Sequence, residues 1–169
     1  LFAAPTMVRR LVSHAVASGY EGQGIKTIVY GGGPMYVADI LEAVDVFGPR
    51  FVQIYGQGES PMTITALSRD LVADRTHPRW HKRLASVGKP QSAVDVIIAD
   101  QDGQELQRGD VGEILVSGPP VMQGYWNNPE ATATTLRDGW LWTGDLGTMD
   151  ADGFVTLSDR LTDVIISGG

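Results

Sequence analysis

The chain has 169 residues with no Cys, and its 13 Lys and Arg against 20 Asp and Glu leave a formal net charge of −7. Zero Cys excludes a disulfide scaffold, a cysteine nucleophile and a thiolate metal site, and the acidic balance argues against general nucleic-acid binding, which needs clustered Lys and Arg. Apolar content of 43% suits a globular chain of one domain or a domain and a half, with no apolar run long enough to span a membrane and no signal-peptide pattern.

Leu1-Phe2-Ala3-Ala4 enters mid-pattern, and Ser167-Gly168-Gly169 reads as a turn leading onward. The chain is therefore expected to be an internal piece of a larger protein, in a reducing, cytoplasmic setting. From the start, Met7, Val8, Leu11, Val12 and Val16 fall at helical spacing between Pro5-Thr6 and Gly19. Lys26–Tyr30 reads as a short strand breaking at Gly31-Gly32-Gly33-Pro34. A second helix carries Val37, Ile40, Leu41, Val44 and Phe47 on one side and closes at Gly48-Pro49. Phe51–Tyr55 reads as a strand ending at Gly56. Strand, Gly-rich turn, helix, strand is the grammar of a parallel sheet.

Residues 68–85 hold five of the 13 basic residues and read as a surface connection. Beyond Arg83 the pattern changes to short strands with frequent turns: Val94–Ala99, Glu113–Ser117, Trp140–Trp142, Leu146–Met149, Phe154–Leu157 and Asp163–Ile166. Asp152-Gly153 is a hairpin turn candidate, and one short helix fits Pro129–Leu136 behind Asn127-Asn128. The expected fold class is α/β: residues 1–83 a parallel βαβ part, residues 84–169 a small antiparallel sheet or distorted barrel.

Four segments could carry chemistry. Gly31-Gly32-Gly33-Pro34 follows a strand and precedes a helix. It is either a tight turn or a place where a flat ring or phosphate approaches backbone closely. Tyr55-Gly56-Gln57-Gly58-Glu59 repeats that placement, offering an aromatic face for a purine and a carboxylate for a hard cation such as Mg²⁺, or simply a capping acid beside a buried Tyr. Trp142-Thr143-Gly144-Asp145 sets an acid after an aromatic strand. A carboxylate there can accept ribose hydroxyls or stabilise a turn. Asp159-Arg160-Leu161-Thr162-Asp163 is a charge cluster whose Arg160 could hold ribose or phosphate oxygens. His77 and His81 stand four apart, but Pro78 lies between them and no third ligand is in reach. No Ser-His-Asp pattern or Gly-x-Ser-x-Gly elbow appears.

Together these pieces resemble the adenylate-forming superfamily of acyl-CoA synthetases, peptide-synthetase adenylation domains and firefly luciferase. Gly31–Pro34 resembles its adenine-side glycine loop and Tyr55–Glu59 its Tyr-Gly-x-Thr-Glu motif. Ser86-Val87-Gly88-Lys89-Pro90 resembles its Ser-x-Gly-x-Pro turn, and Gly112-Glu113-Ile114 through Gly124-Tyr125 its Gly-Glu-Leu stretch. Trp142–Asp145 and Asp159–Asp163 resemble its Thr-Gly-Asp and hinge motifs. Each is weak alone; six in order are specific.

The resemblance implies a two-step ligase using ATP, Mg²⁺ and CoA on a small carboxylic acid: acyl-AMP forms, then a thiol takes the acyl group. It implies that Gly32, Gly33, Pro34, Gln53, Tyr55 and Gly56 lie on the adenine side. Asp145 and Arg160 would hold ribose, Glu59 would bind Mg²⁺, and Gly31, Met62 and Thr63 would line the acyl pocket. Thr162 would be the hinge to a further domain. Gly58 departs from the family Thr, and Thr162 from its Asp or Lys. The Ser/Thr/Gly-rich phosphate loop and the small C-terminal domain with its Lys are absent, so the chain by itself is expected to be inactive. Gln57-Gly58 differs from the Pro-Thr common among peptide synthetases, which favours CoA as acceptor. A peptide-synthetase-type domain and a non-catalytic nucleotide-binding module are the alternatives, and the oligomeric state is left open.

Overall fold

A computed structural model describes residues 1–160, the last two through their backbone alone. The hinge assignment to Thr162 and the expected strand Asp163–Ile166 lie outside the described residues. The chain divides into two compact units: Leu1–Tyr55 with Thr65–Lys89, and Gly56–Ile64 with the chain from Pro90 onward.

In the first unit β1 (Phe2–Ala3) leads into α1 (Pro5–Ser18), which starts with Pro at its first turn, where no backbone donor is needed. Its Val8, Val12 and Ala15 recur on one face and are buried. β2 (Ile28–Tyr30), α2 (Val37–Phe47) and β3 (Phe51–Gln57) follow. β2 pairs in parallel with both β1 and β3, as the βαβ pattern predicts. Ile40, Ala43 and Phe47 form the buried stripe of α2. The Phe51 ring lies 6.3 Å from those of both Tyr30 and Phe47. Fully burying each such large side chain stabilises the fold by about 1.5–3 kcal/mol.

Two expectations change here. Gly56 does not end its strand: β3 runs on to Gln57, and β4 (Ser60–Leu67) returns after a two-residue connection that only an antiparallel pair can span. The sheet order is β1-β2-β3-β4-β5, with β5 at Lys89–Pro90. The basic stretch 68–85 is not a bare connection. It forms α3 (Arg69–Ala73), capped by the Ser68 hydroxyl, and α4 (Trp80–Ala85), which bury Val72 and Leu84. Single apolar residues anchoring one-turn helices leave no periodicity to read.

The second unit is built on an antiparallel sheet in the order β10-β9-β7-β6. The strands are β6 (Asp95–Ala99), β7 (Gly112–Ser117), β9 (Trp140–Met149) and β10 (Val155–Arg160), with β8 (Leu136–Arg137) also on β9. α5 (Pro129–Thr135) starts where expected, Asn128 accepting from the Ala131 N–H. Asp150 Oδ1 accepts from the N–H groups of Asp152 and Phe154, closing the expected turn at Asp152-Gly153. Ile98, Ile114, Val116, Leu141, Met149 and Val155 fill the interior. The two strands expected at Trp140–Trp142 and Leu146–Met149 are one, because Thr143–Asp145 interrupts the pairing with β7 and not the strand.

Candidate functional site

In the first unit, Gly32, Gly33 and Pro34 are exposed between β2 and α2. Gly31 is packed: a Cβ there would come within 2.4 Å of the Ile54 carbonyl oxygen, so the close approach of the chain to β3 demands glycine. Gln53 and Tyr55 are both buried on β3. The Tyr30 hydroxyl donates to Gln53 Oε1 at 3.3 Å, and burial raises its pKa far above the usual tyrosine range, keeping it a donor.

The second unit carries the acids. Along β9, Trp142 pairs with Leu115 and Leu146 with Glu113, so four steps on β9 oppose two on β7. Thr143-Gly144-Asp145 thus oppose Ile114 alone, an excess of two residues and a bulge of the kind that re-aims side chains. Gly144 sits at φ +71°, where L side chains are strained. Its N–H donates to Glu113 Oε1 at 2.8 Å. The Thr143 hydroxyl donates to the Ile114 carbonyl at 2.8 Å and accepts from the Asp145 N–H at 3.1 Å. Asp145, 6% exposed, accepts at Oδ2 from Gln57 Nε2 at 2.7 Å, and the same nitrogen donates to the Thr143 carbonyl at 2.9 Å. Arg160 on β10 is the register partner of Asp145. The two ribose candidates are thus brought to adjacent strands, and Asp145 is preorganised as a hydrogen-bond acceptor.

Glu59 follows the β3–β4 turn. Its Oε1 accepts from the Tyr125 hydroxyl at 2.5 Å, its carbonyl accepts from the Met122 N–H at 2.8 Å, and the carboxylate contact leads the causes that raise the Tyr125 pKa. Among the described residues no group of three or more His, Cys, Asp or Glu could hold a metal. A lone Glu59 still fits Mg²⁺, which takes one or two protein carboxylates with phosphate oxygens and water. Met62, 58% exposed, sits at φ +57°, an outlier for a bulky side chain. A Cβ on Gly56 would meet Met62 N at 2.4 Å. The Thr63 hydroxyl is 2.8 Å from that of Ser60. His77 does not join His81: its Nδ1 accepts from the Arg79 N–H, and its Nε2 lies 3.0 Å from the Arg83 guanidinium.

Three participants escape sequence reasoning as functional residues. Gln57 and Tyr125 act across 88 and 66 residues of sequence, and Glu113 across 31. All three stand inside segments singled out by motif, so the signal was position without role.

The AMP-binding enzyme family matches residues 1–126. The chain is 41% identical, over 98% of its length, to the medium/long-chain-fatty-acid–CoA ligase FadD8 of Mycobacterium tuberculosis, covering 28% of that protein. Its fold is similar to the amide bond synthetase McbA from Marinactinospora thermotolerans, with TM-score 0.87 and 39% identity over 98% of this chain and 32% of that one. It is also similar to O-succinylbenzoate coenzyme A synthetase MenE from Bacillus subtilis, solved in complex with ATP and magnesium ion, with TM-score 0.83 and 34% identity over 99% of this chain and 33% of that one. The chain spans about a third of the length of the curated relatives it matches.

Proposed function

The chain belongs to the AMP-binding enzyme family, and we propose that it is the nucleotide-facing part of an ATP-dependent acid–thiol ligase. The reaction it serves activates a carboxylic acid: the carboxylate attacks the ATP α-phosphorus, giving acyl-AMP and releasing pyrophosphate. A thiol, that of CoA, then takes the acyl group and AMP leaves. The observation that carries this reading is the buried Asp145 carboxylate, held on a β-bulge by Gln57, with Arg160 as its register partner.

On this reading residues 1–83 carry the adenine-side groups Gly32, Gly33, Pro34, Gln53, Tyr55 and Gly56. Tyr55 offers a ring for stacking. Gly31, Met62 and Thr63 stand on the acyl side, where the backbone of Met62 is strained and its side chain exposed. Residues 84–169 carry the ribose groups Asp145 and Arg160 and the hinge Thr162. Asp145 accepts ribose hydroxyls, and Arg160 supplies a permanent positive charge. Glu59 holds Mg²⁺, whose role when bound is to neutralise charge on the phosphate oxygens. Tyr125 restrains the Glu59 carboxylate from one side. No helix among the described residues is long and apolar enough to cross a membrane. The substrates we propose are a small carboxylic acid, ATP and CoA, in the cytoplasm.

Acid-dependent ATP–pyrophosphate exchange by the intact protein, screened over fatty and aromatic acids, tests the first step. Exchange with none of them would overturn the ligase reading. An amine as acceptor is the second reading, favoured by the similarity to an amide bond synthetase. Supplying preformed acyl-AMP with CoA or with an amine separates the two.

A further inference from the structure

We infer that Gln57 is a positioning residue that sets the orientation of the Asp145 carboxylate and thereby the preference of the enzyme for a ribose carrying its hydroxyls. The inference rests on the proposed ribose role of Asp145. The Thr143 hydroxyl and Glu113 secure the backbone of Thr143–Asp145 through the Asp145 and Gly144 N–H groups. Neither contact reaches the carboxylate. The last torsion of an aspartate is broad and nearly two-fold, so a fixed backbone leaves the plane of the two oxygens unset.

Gln57 supplies what the backbone contacts lack. Its Nε2 donates to Asp145 Oδ2 at 2.7 Å and to the Thr143 carbonyl at 2.9 Å. An amide nitrogen has two hydrogens, and both are committed. The arrangement also fixes which way the amide points. Turning it over would set its carbonyl oxygen against a carboxylate and a backbone carbonyl, three acceptors with no donor. The bond to Asp145 is charge-assisted, hence short and directional. Gln57 is the last residue of β3, so the ladder holds its backbone while its side chain reaches the bulge. Glutamine is the right length: asparagine is one methylene shorter, and glutamate would face Asp145 with a like charge.

The test measures dissociation constants for MgATP and Mg-2′,3′-dideoxyATP by calorimetry on the intact protein. It compares wild type, Gln57→Met, Asp145→Ala and the double variant. Methionine keeps the length and loses both donors. The ratio of the two constants isolates the ribose hydroxyls from the rest of the nucleotide. Wild type should prefer ATP. Gln57→Met should lower that preference about three- to tenfold, the scale of one net hydrogen bond, by weakening ATP while leaving the dideoxy analogue nearly unchanged. In the Asp145→Ala background Gln57→Met should change the ratio no further, because a residue that works through Asp145 has nothing left to position. A merely structural Gln57 would weaken both nucleotides alike, and that result overturns the proposal, as do multiplicative effects in the double variant. Wild type without preference would overturn the ribose reading itself, a different failure from a wild-type preference that survives Gln57→Met. If Gln57→Met does not fold, Gln57→Asn carries the same expectation.

Discussion

Asp145 and Asp150 stand five residues apart, the first on the bulge of β9 and the second at the turn that follows it, and alanine substitutions should separate the proposed ribose role of Asp145 from the turn-closing role of Asp150. Asp150 Oδ1 accepts from the N–H groups of Asp152 and Phe154, each at 2.9 Å. The backbone pairs between Asp150 and Phe154 and between Gly153 and Asp150 survive its loss. Asp150→Ala therefore removes two side-chain bonds from a partly buried turn, a destabilisation of about 1–3 kcal/mol at roughly 1 kcal/mol each. Asp145 is different. Its removal takes away the acceptor of the Gln57 amide, which keeps its second acceptor at the Thr143 carbonyl, and also relieves the burial of a charge. The net stability change should stay within about 1 kcal/mol. In the proposed role, what is lost is an acceptor for ribose hydroxyls, about 1.5–3 kcal/mol for hydrogen bonds to a charged group, or roughly ten- to a hundredfold in ATP affinity. The assay pairs an ATP dissociation constant with a denaturant midpoint for each variant of the intact protein. Asp145→Ala should move the first and Asp150→Ala the second. Equal loss of ATP affinity in both variants would refute the argument, as would an Asp145→Ala protein that binds ATP normally.

Gly56→Ala places a methyl group 2.4 Å from Met62 N and 2.6 Å from Ser60 O, both backbone atoms, so the denaturant midpoint should fall by the equivalent of about 1–3 kcal/mol. A midpoint within error of wild type would refute that packing. Asn128→Ala removes the cap of α5, worth about 1 kcal/mol. Since α5 buries none of its residues, the loss should appear as faster amide hydrogen exchange confined to residues 130–135. The Thr76 hydroxyl and N–H donate to Asp74 Oδ1 at 2.6 and 2.8 Å, and the hydroxyl bond is the largest cause of a lowered Asp74 pKa. A depressed folded-state pKa stabilises above the ordinary carboxylate pKa and is lost as pH falls through the folded value. Thr76→Ala should therefore raise the Asp74 titration midpoint followed by NMR, and an unmoved midpoint would count against the contact.

Helices were legible where an apolar stripe met a clear boundary. α1 and α2 were visible in the spacing of Val8 and Val12, and of Ile40 and Phe47, closed by Gly19 and Gly48. α5 was visible in Asn128-Pro129. Glycine misled in the strands. Gly56 looks like a terminator in one dimension, but it is there because the returning strand passes too close for a side chain. Gly144 likewise split one ten-residue strand into two. The adenylate-forming resemblance was legible because its motifs are local and ordered along the chain. The hydrogen bonds that give those motifs a common geometry, Gln57 to Asp145 and Tyr125 to Glu59, join residues 88 and 66 apart and leave no trace in local pattern.

The bulge in β9 has an arithmetic of its own. It adds two residues opposite β7, an even number, so the in–out alternation on either side of it stays in phase. Leu141, Asp145, Gly147 and Met149 accordingly are all buried, and the carboxylate occupies a place in a series otherwise taken by the core. Insertions and deletions should then act by parity. Losing one residue from Thr143–Asp145 would turn Leu141 or Met149 outward and cost the sheet its interior. Losing Gly144 and Asp145 together would erase the acid while letting the ladder close flush. A sheet of this kind can shed or acquire its polar station in a single in-phase step, without being rebuilt around it.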